Sequence, residues 1–179
     1  MSSKALVVVD IQNDYFPGGK MELVGSTEAA AVAALVKADF KAQGLPVFMI
    51  QHVSKSPTAS FFLPETHGVE IHESVKLVDT DRLIVKHFPN SFRETELLNE
   101  LRSAQVTELT IVGMMTHMCI DTTTRAASDL GFKVTVIGNA CATRNLEHDG
   151  IRVAAKEVQA AYLAALDGSF ATVTNWKTN

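Results

Sequence analysis

An aspartate, a lysine and a cysteine lie far apart in this chain, each beside the end of an apolar run. Asp10 closes Ala5-Leu6-Val7-Val8-Val9, Lys86 closes Leu83-Ile84-Val85, and Cys119 ends Gly113-Met114-Met115-Thr116-His117-Met118-Cys119, which follows Leu109 to Val112. Cysteine is the natural nucleophile of the three. Where a strand hands over to a helix, unpaired backbone N–H groups and the positive end of the helix dipole favour a thiolate. A free thiol ionises near pH 8.5, and a drop of about two units, worth roughly 2.7 kcal/mol, would leave Cys119 mostly thiolate at neutral pH. Such a sulfur attacks an electrophilic carbonyl carbon and forms a thioester. Asp10 can take the thiol proton, pass it to a leaving amine and later activate water. A charged Lys86 would stabilise the thiolate and keep the carboxylate ionised. The oxyanion needs two aimed donors, and the backbone N–H groups of Met115 and Cys119 are the candidates.

Alone, each residue has an ordinary reading: Asp10 as a turn-bonding acid, Lys86 as a solvated strand end, Cys119 as a small core residue. What can unite them is the order of elements. Ala5–Val9 is a continuous apolar, β-branched run, as in a strand buried on both faces. Pro17-Gly18-Gly19 marks a loop, and Ser26 serves as N-cap of an Ala-rich helix ending at Gly44. Further strands are expected at Pro46–Ile50, Leu83–Val85, Leu109–Val112, Val134–Ile137 and Ala171–Val173. Helices are expected at Thr95–Ala104, from Cys119 to Gly131, and over Glu147–Leu166, where Glu147 and His148 would open the helix. The irregular stretch Ser54–Asp79 is long enough to be a lid or part of an interface. Strands alternating with helices predict a three-layer α/β/α domain with a mostly parallel sheet of about six strands, one domain over 1–179. Sites in such sheets gather at the carboxyl ends of the strands, which is where Asp10, Lys86 and Cys119 fall.

Composition narrows the classes. The chain has 179 residues, 46% hydrophobic and 20% charged, with a net charge of −4. Without a basic run, nucleic acid and anionic membranes are poor partners, and a small-molecule substrate is the better fit. No apolar run approaches the ~18 residues that span a bilayer. Met1–Val9 is too short and too soon interrupted by Asp10 for a signal peptide, so a cytoplasmic setting with Cys119 and Cys141 reduced is expected. Cys141, after the fifth strand, reads as a buried structural thiol.

Four segments, in order, resemble the isochorismatase-like cysteine hydrolase superfamily, which includes nicotinamidases and N-carbamoylsarcosine amidohydrolases. They are Val8-Val9-Asp10-Ile11-Gln12-Asn13-Asp14-Tyr15-Phe16 with Gly18-Gly19, Val85-Lys86-His87, Ser91-Phe92, and Val112–Cys119 with Thr122-Thr123. The resemblance implies an isochorismatase-like (Rossmann-like) fold, a triad of Asp10, Lys86 and Cys119, and a cis peptide between Met114 and Met115. It also implies that Tyr15 lies against the substrate, with Gln12 and Asn13 bracing Asp10 and its loop, and that the protein forms dimers or tetramers. His52, Phe62, Phe92 and His117 are further pocket candidates. Nicotinamidases of the superfamily bind a metal through Asp-x-His after strand two. Here the stretch reads Gln51-His52-Val53-Ser54, and neither His67 nor His72 restores the ligand spacing, so neither metal nor other cofactor is expected. True isochorismatases cleave a vinyl ether and lack the cysteine. Cys119 therefore favours cleavage of a C–N bond in a small amide, ureido or carbamoyl compound. The alternatives are ether or lactam hydrolysis on the same scaffold, or a non-catalytic oligomeric binding protein.

Overall fold

In the computed structural model, which describes residues 3–177, a six-stranded sheet has the order β3-β2-β1-β4-β5-β8. Its strands are β1 (Ser3–Val9), β2 (Val47–His52), β3 (Arg82–Lys86), β4 (Val106–Met114), β5 (Lys133–Ala142) and β8 (Thr172–Thr174). Every adjacent pair in it is parallel. The helices are α1 (Ser26–Ala42), α2 (Leu97–Ser103), α3 (Asp121–Asp129) and α4 (Ala155–Leu166). The predicted three-layer arrangement is the one observed. Met1 and Ser2, the start of the segment read as too short for a signal peptide, lie outside the described residues.

The pleat of β1 divides the core. Leu6 and Val8 face α1, whose Ala29, Ala30, Ala33, Val36 and Phe40 are buried against them. Ala5, Val7 and Val9 face the other way, toward Leu97 and Leu101 of α2 and Ala127 of α3. A strand covered on both faces must be apolar at every position, hence its unbroken run. No helix among the described residues is long and apolar enough to cross a membrane.

Three expectations are corrected. Glu147–Leu166 is not one helix: β6 (Leu146–His148) and β7 (Ile151–Val153) form an antiparallel ribbon before α4. Asp149 and Gly150, at φ 49° and 75°, make the turn. Two successive left-handed residues suit a tight hairpin and break a helix. Glu147 consequently meets no helix dipole but pairs with Arg152 at 2.9 Å. Ser26 is the first residue of α1 rather than its cap, which is Gly25 at φ 75°. Finally, Cys141 lies within β5, which runs past Val134–Ile137 because the register against β4 breaks between Ile111 and Gly113.

Ser54–Asp79 is irregular but anchored. It carries 3-10 turns at His67–Val69 and Glu73–Val75 and buries Phe62, Val69 and Val75 in the α1-side core. Asn13 N–H donates to Glu70 O at 3.1 Å and His72 N–H to Ile11 O at 2.9 Å, so it is tied to the loop after β1.

Gly113 shows how tightly the site end of the sheet is drawn. It pairs with Val9 at φ 127°, and a Cβ there would lie 2.0 Å from the Val9 carbonyl oxygen. Gly113→Ala should cost at least about 3 kcal/mol, since backbone must move at a left-handed position. A melting curve should fall by roughly 6–12 °C for a chain of this size.

Candidate active site

The carboxyl ends of the four strands β3, β2, β1 and β4 place Lys86, His52, Asp10 and the turn bearing Cys119 side by side. Asp10 is the first residue beyond β1, held at φ 51° with its N–H donating to Ile50 O at 3.1 Å. His52 and Lys86 are register partners at the ends of β2 and β3. After β4 the Met114–Met115 peptide is cis. The chain then winds a π turn over Thr116–Ile120, closed by the Ile120 N–H donating to Met115 O at 3.2 Å, and runs into α3. Cys119 thus sits in a widened turn ahead of the helix, where the sequence placed it at the helix start.

Lys86 Nζ lies 2.7 Å from Asp10 Oδ2 and 3.2 Å from Cys119 Sγ. All three residues are buried. The Asp10–Lys86 contact is an ion pair without hydrogen-bond alignment, and neither carboxylate oxygen has another donor among the described residues. A buried carboxylate short of donors is a proton acceptor in waiting. Burial alone would lower the lysine pKa, but the charges of Asp10 and Cys119 overcome it and hold the ammonium above the ordinary lysine range.

Cys119 departs from the sequence expectation. Burial, and then the Asp10 carboxylate, push its thiol well above the ordinary range, while Lys86 only partly opposes them. The resting site therefore holds a carboxylate, an ammonium and a neutral thiol. The expected drop of about two units fails because the helix-terminus contribution, at most ~2 kcal/mol, is smaller than the desolvation of a fully buried thiolate.

Around these three, Tyr15 and Phe62 pack with their rings tilted at 4.6 Å, and Phe62 reaches the His52 ring at 5.8 Å. The Tyr15 phenol is pushed well up by burial, then by charge on Cys119 and Asp10, which places it in the site. Phe62 holds a left-handed φ of 56°, with its N–H donating to Asp14 Oδ2 at 2.7 Å. His52 Nδ1 accepts from Lys86 Nζ at 2.9 Å. His117 turns toward β5 and bonds Thr143 Oγ1 at 2.6 Å, its pKa lowered by burial and then by Arg144. Phe92 stacks on Phe132 at 6.2 Å in the core beneath α2 and α3. Asn13 braces the long segment, donating to His67 O at 2.9 Å, and Gln12 grips His52 and Val69. His72 stacks on Phe16 and His67 bonds Glu70, so neither joins the triad. Two surface clefts, of about 410 and 420 Å³, are lined by none of the triad residues. Cys141 is a second free thiol, pushed up to about 12 by burial.

The Asp10, His52 and Cys119 side chains offer ligand atoms within 4.8 Å of one another. The Lys86 ammonium bonds His52 and Cys119 and pairs by charge with Asp10, so this donor set already holds a cation of the chain's own. One residue escaped sequence reasoning. Arg144, the second residue beyond β5, is exposed and has no carboxylate partner among the described residues, and its charge bears weakly, after burial, on both Tyr15 and His117. Its only sequence signal was its place just past a strand end.

The isochorismatase domain model matches residues 4–178. Isochorismatase family protein YddQ of Bacillus subtilis is 48% identical over 169 residues, 94% of each chain. Nicotinamidase 3 of Arabidopsis thaliana is 29% identical, over 80% of this chain and 75% of its own. A solved structure from Oleispira antarctica, titled as an isochorismatase hydrolase, superposes with a TM-score of 0.93 at 45% identity, covering 97% of this chain and 94% of its own.

If Asp10 raises the thiol and Lys86 lowers it, their removal should move Cys119 in opposite directions. Asp10→Asn should let the thiol ionise at lower pH than in the wild type, and Lys86→Met at higher pH. Ultraviolet titration of thiolate absorbance in a Cys141→Ala background measures both.

Proposed function

The chain belongs to the isochorismatase family of hydrolases, and from that premise we propose that it cleaves a C–N bond in a small amide, ureido or carbamoyl compound. The observation that carries the reading is a neutral thiol, a carboxylate short of donors and a lysine ammonium brought together in one buried site. An enzyme that cleaves by acid catalysis alone needs no sulfur there.

Asp10 takes the proton from Cys119 as Sγ bonds to the carbonyl carbon. Negative charge passes from the carboxylate to the carbonyl oxygen, so the buried site never holds two uncompensated anions. The N–H groups of Met115 and Cys119 receive that oxyanion, a role worth roughly 3 kcal/mol per donor in comparable sites. The proton on Asp10 moves to the leaving nitrogen, the C–N bond breaks and a thioester remains. Asp10 then draws a proton from water, the hydroxyl adds to the thioester carbon, and collapse releases the acid while the proton returns to sulfur. Lys86 stays protonated throughout.

Arg144 narrows the substrate. A guanidinium without a carboxylate partner, within electrostatic reach of Tyr15 and His117, is suited to an anionic group on the substrate. An amide or ureido compound that also carries a carboxylate fits such a site. Nicotinamidase 3 of Arabidopsis and the streptothricin hydrolases of Streptomyces noursei, named for amide and antibiotic substrates, support hydrolysis of this general kind.

Ammonia release should be measured on a panel of small amides and ureido acids. Cys119→Ala and Asp10→Asn should each lower turnover by at least about a thousandfold, because groups acting as a unit fail together. Turnover that survives Cys119→Ala would point instead to acid-catalysed ether cleavage. Arg144→Ala should raise KM for carboxylate-bearing substrates by about tenfold or more, the loss of one charged hydrogen bond, and leave neutral amides unaffected.

A further inference from the structure

Four acceptor atoms surround the Lys86 ammonium, and three of them, all but Asp10, take its protons. Asp10 Oδ2 stands at 2.7 Å, His52 Nδ1 at 2.9 Å, the Phe88 carbonyl at 3.1 Å and Cys119 Sγ at 3.2 Å. A lysine ammonium donates three hydrogen bonds and accepts none. Two of the four acceptors, Asp10 and Cys119, exchange a proton during the reaction proposed above. The other two, His52 and the Phe88 carbonyl, do not change. We propose that His52 is a positioning residue that, with the Phe88 carbonyl, fixes two protons of Lys86 so that the third is aimed at Cys119 Sγ, while Asp10 is held beside it by charge alone. That proton faces the sulfur as it loses its own to Asp10, with no rotation of the ammonium. The assignment rests on the triad reading and adds a fourth member to it.

The imidazole is built for this task. Its backbone is held from both sides by the fully buried Gln12, which accepts from His52 N–H at 2.8 Å and donates to His52 O at 2.9 Å. Its ladder partner is Lys86 itself, and the Val53 N–H donates to Lys86 O at 2.9 Å, so β2 and β3 cannot slide here. Because Lys86 can only donate, Nδ1 is the unprotonated nitrogen and the ring carries its proton on Nε2. The charged and titratable groups facing the ring are Lys86, Asp10, His87 and Cys119. Burial, then the Lys86 charge, lower the imidazole to about 4, so it stays a neutral acceptor across the working range. The stretch that lacks the Asp-x-His pattern thus supplies a neutral acceptor for the chain's own lysine.

Alkylation of Cys119 by iodoacetamide, followed against pH with the labelled peptide identified by mass, tests this without knowledge of the substrate. His52→Leu should slow labelling at neutral pH by about tenfold and move its midpoint to higher pH, because the ammonium is no longer aimed at sulfur. His52→Asn, whose amide oxygen can stand where Nδ1 stands, should restore the rate to within about threefold and return the midpoint. His52→Phe fills the same volume without an acceptor and serves if the leucine variant does not fold. Labelling by His52→Leu or His52→Phe at the wild-type rate and midpoint, while Lys86→Met is slow, would overturn the role of His52 and leave the triad standing. Labelling that is indifferent to Lys86→Met as well would overturn the triad reading itself.

Discussion

The Asp10 carboxylate and the Lys86 ammonium stand 2.7 Å apart with both side chains wholly removed from solvent, and the site end of the sheet is arranged around that pair. Taking two such ions out of water costs several kcal/mol each, and their attraction repays this only with good geometry and further hydrogen bonds. Lys86 has those bonds, to His52, the Phe88 carbonyl and Cys119. Asp10 does not, since no N–H or O–H reaches its oxygens in hydrogen-bond geometry. The asymmetry is informative. A pair kept for stability would satisfy both partners, whereas here the lysine is secured and the carboxylate is left able to take a proton.

A parallel sheet supplies the means to hold such a pair. Four adjacent strands point the same way, so their carboxyl ends present one residue each to a common edge without long loops. Covering both faces with helices makes the strands apolar along their length, and the first polar residue after each run falls at that edge. Val9 then Asp10 shows the transition directly, while β3, at the sheet edge, leaves Leu83 and Val85 exposed before the buried Lys86. The same rule made the triad and the layers legible in the sequence, because burial on both faces and strand-end placement both register in residue order.

Other features left weaker traces. The Asp149-Gly150 turn was hidden inside an apolar pattern with near-helical spacing, and only the left-handed preference of that dipeptide betrayed the ribbon. The bond from His52 to Lys86 depends on β2 and β3 being neighbours in one register, which residues 34 apart in the chain do not announce. Arg144 was silent because a lone exposed arginine after a strand looks like any solvated cation, and only its charge, felt at Tyr15 and His117, links it to the site. Phe92 shows the converse, an aromatic beside a family-like serine that packs on Phe132 in the core.

The thiol exposes the sharpest difference between local and tertiary physics. A helix N-terminus nearby acts through the first turn only and contributes at most ~2 kcal/mol. Complete burial of a thiolate, with a carboxylate within 4.8 Å, opposes it with a larger penalty. In the proposed mechanism, ionisation is deferred to the moment when a carbonyl carbon arrives to share the sulfur's charge. On that mechanism the empty site keeps its nucleophile as a neutral thiol. The mechanism also explains why a lysine, and not a histidine, stands between acid and sulfur. A cation that keeps all its protons holds the field constant while a single proton moves from sulfur to carboxylate to leaving group.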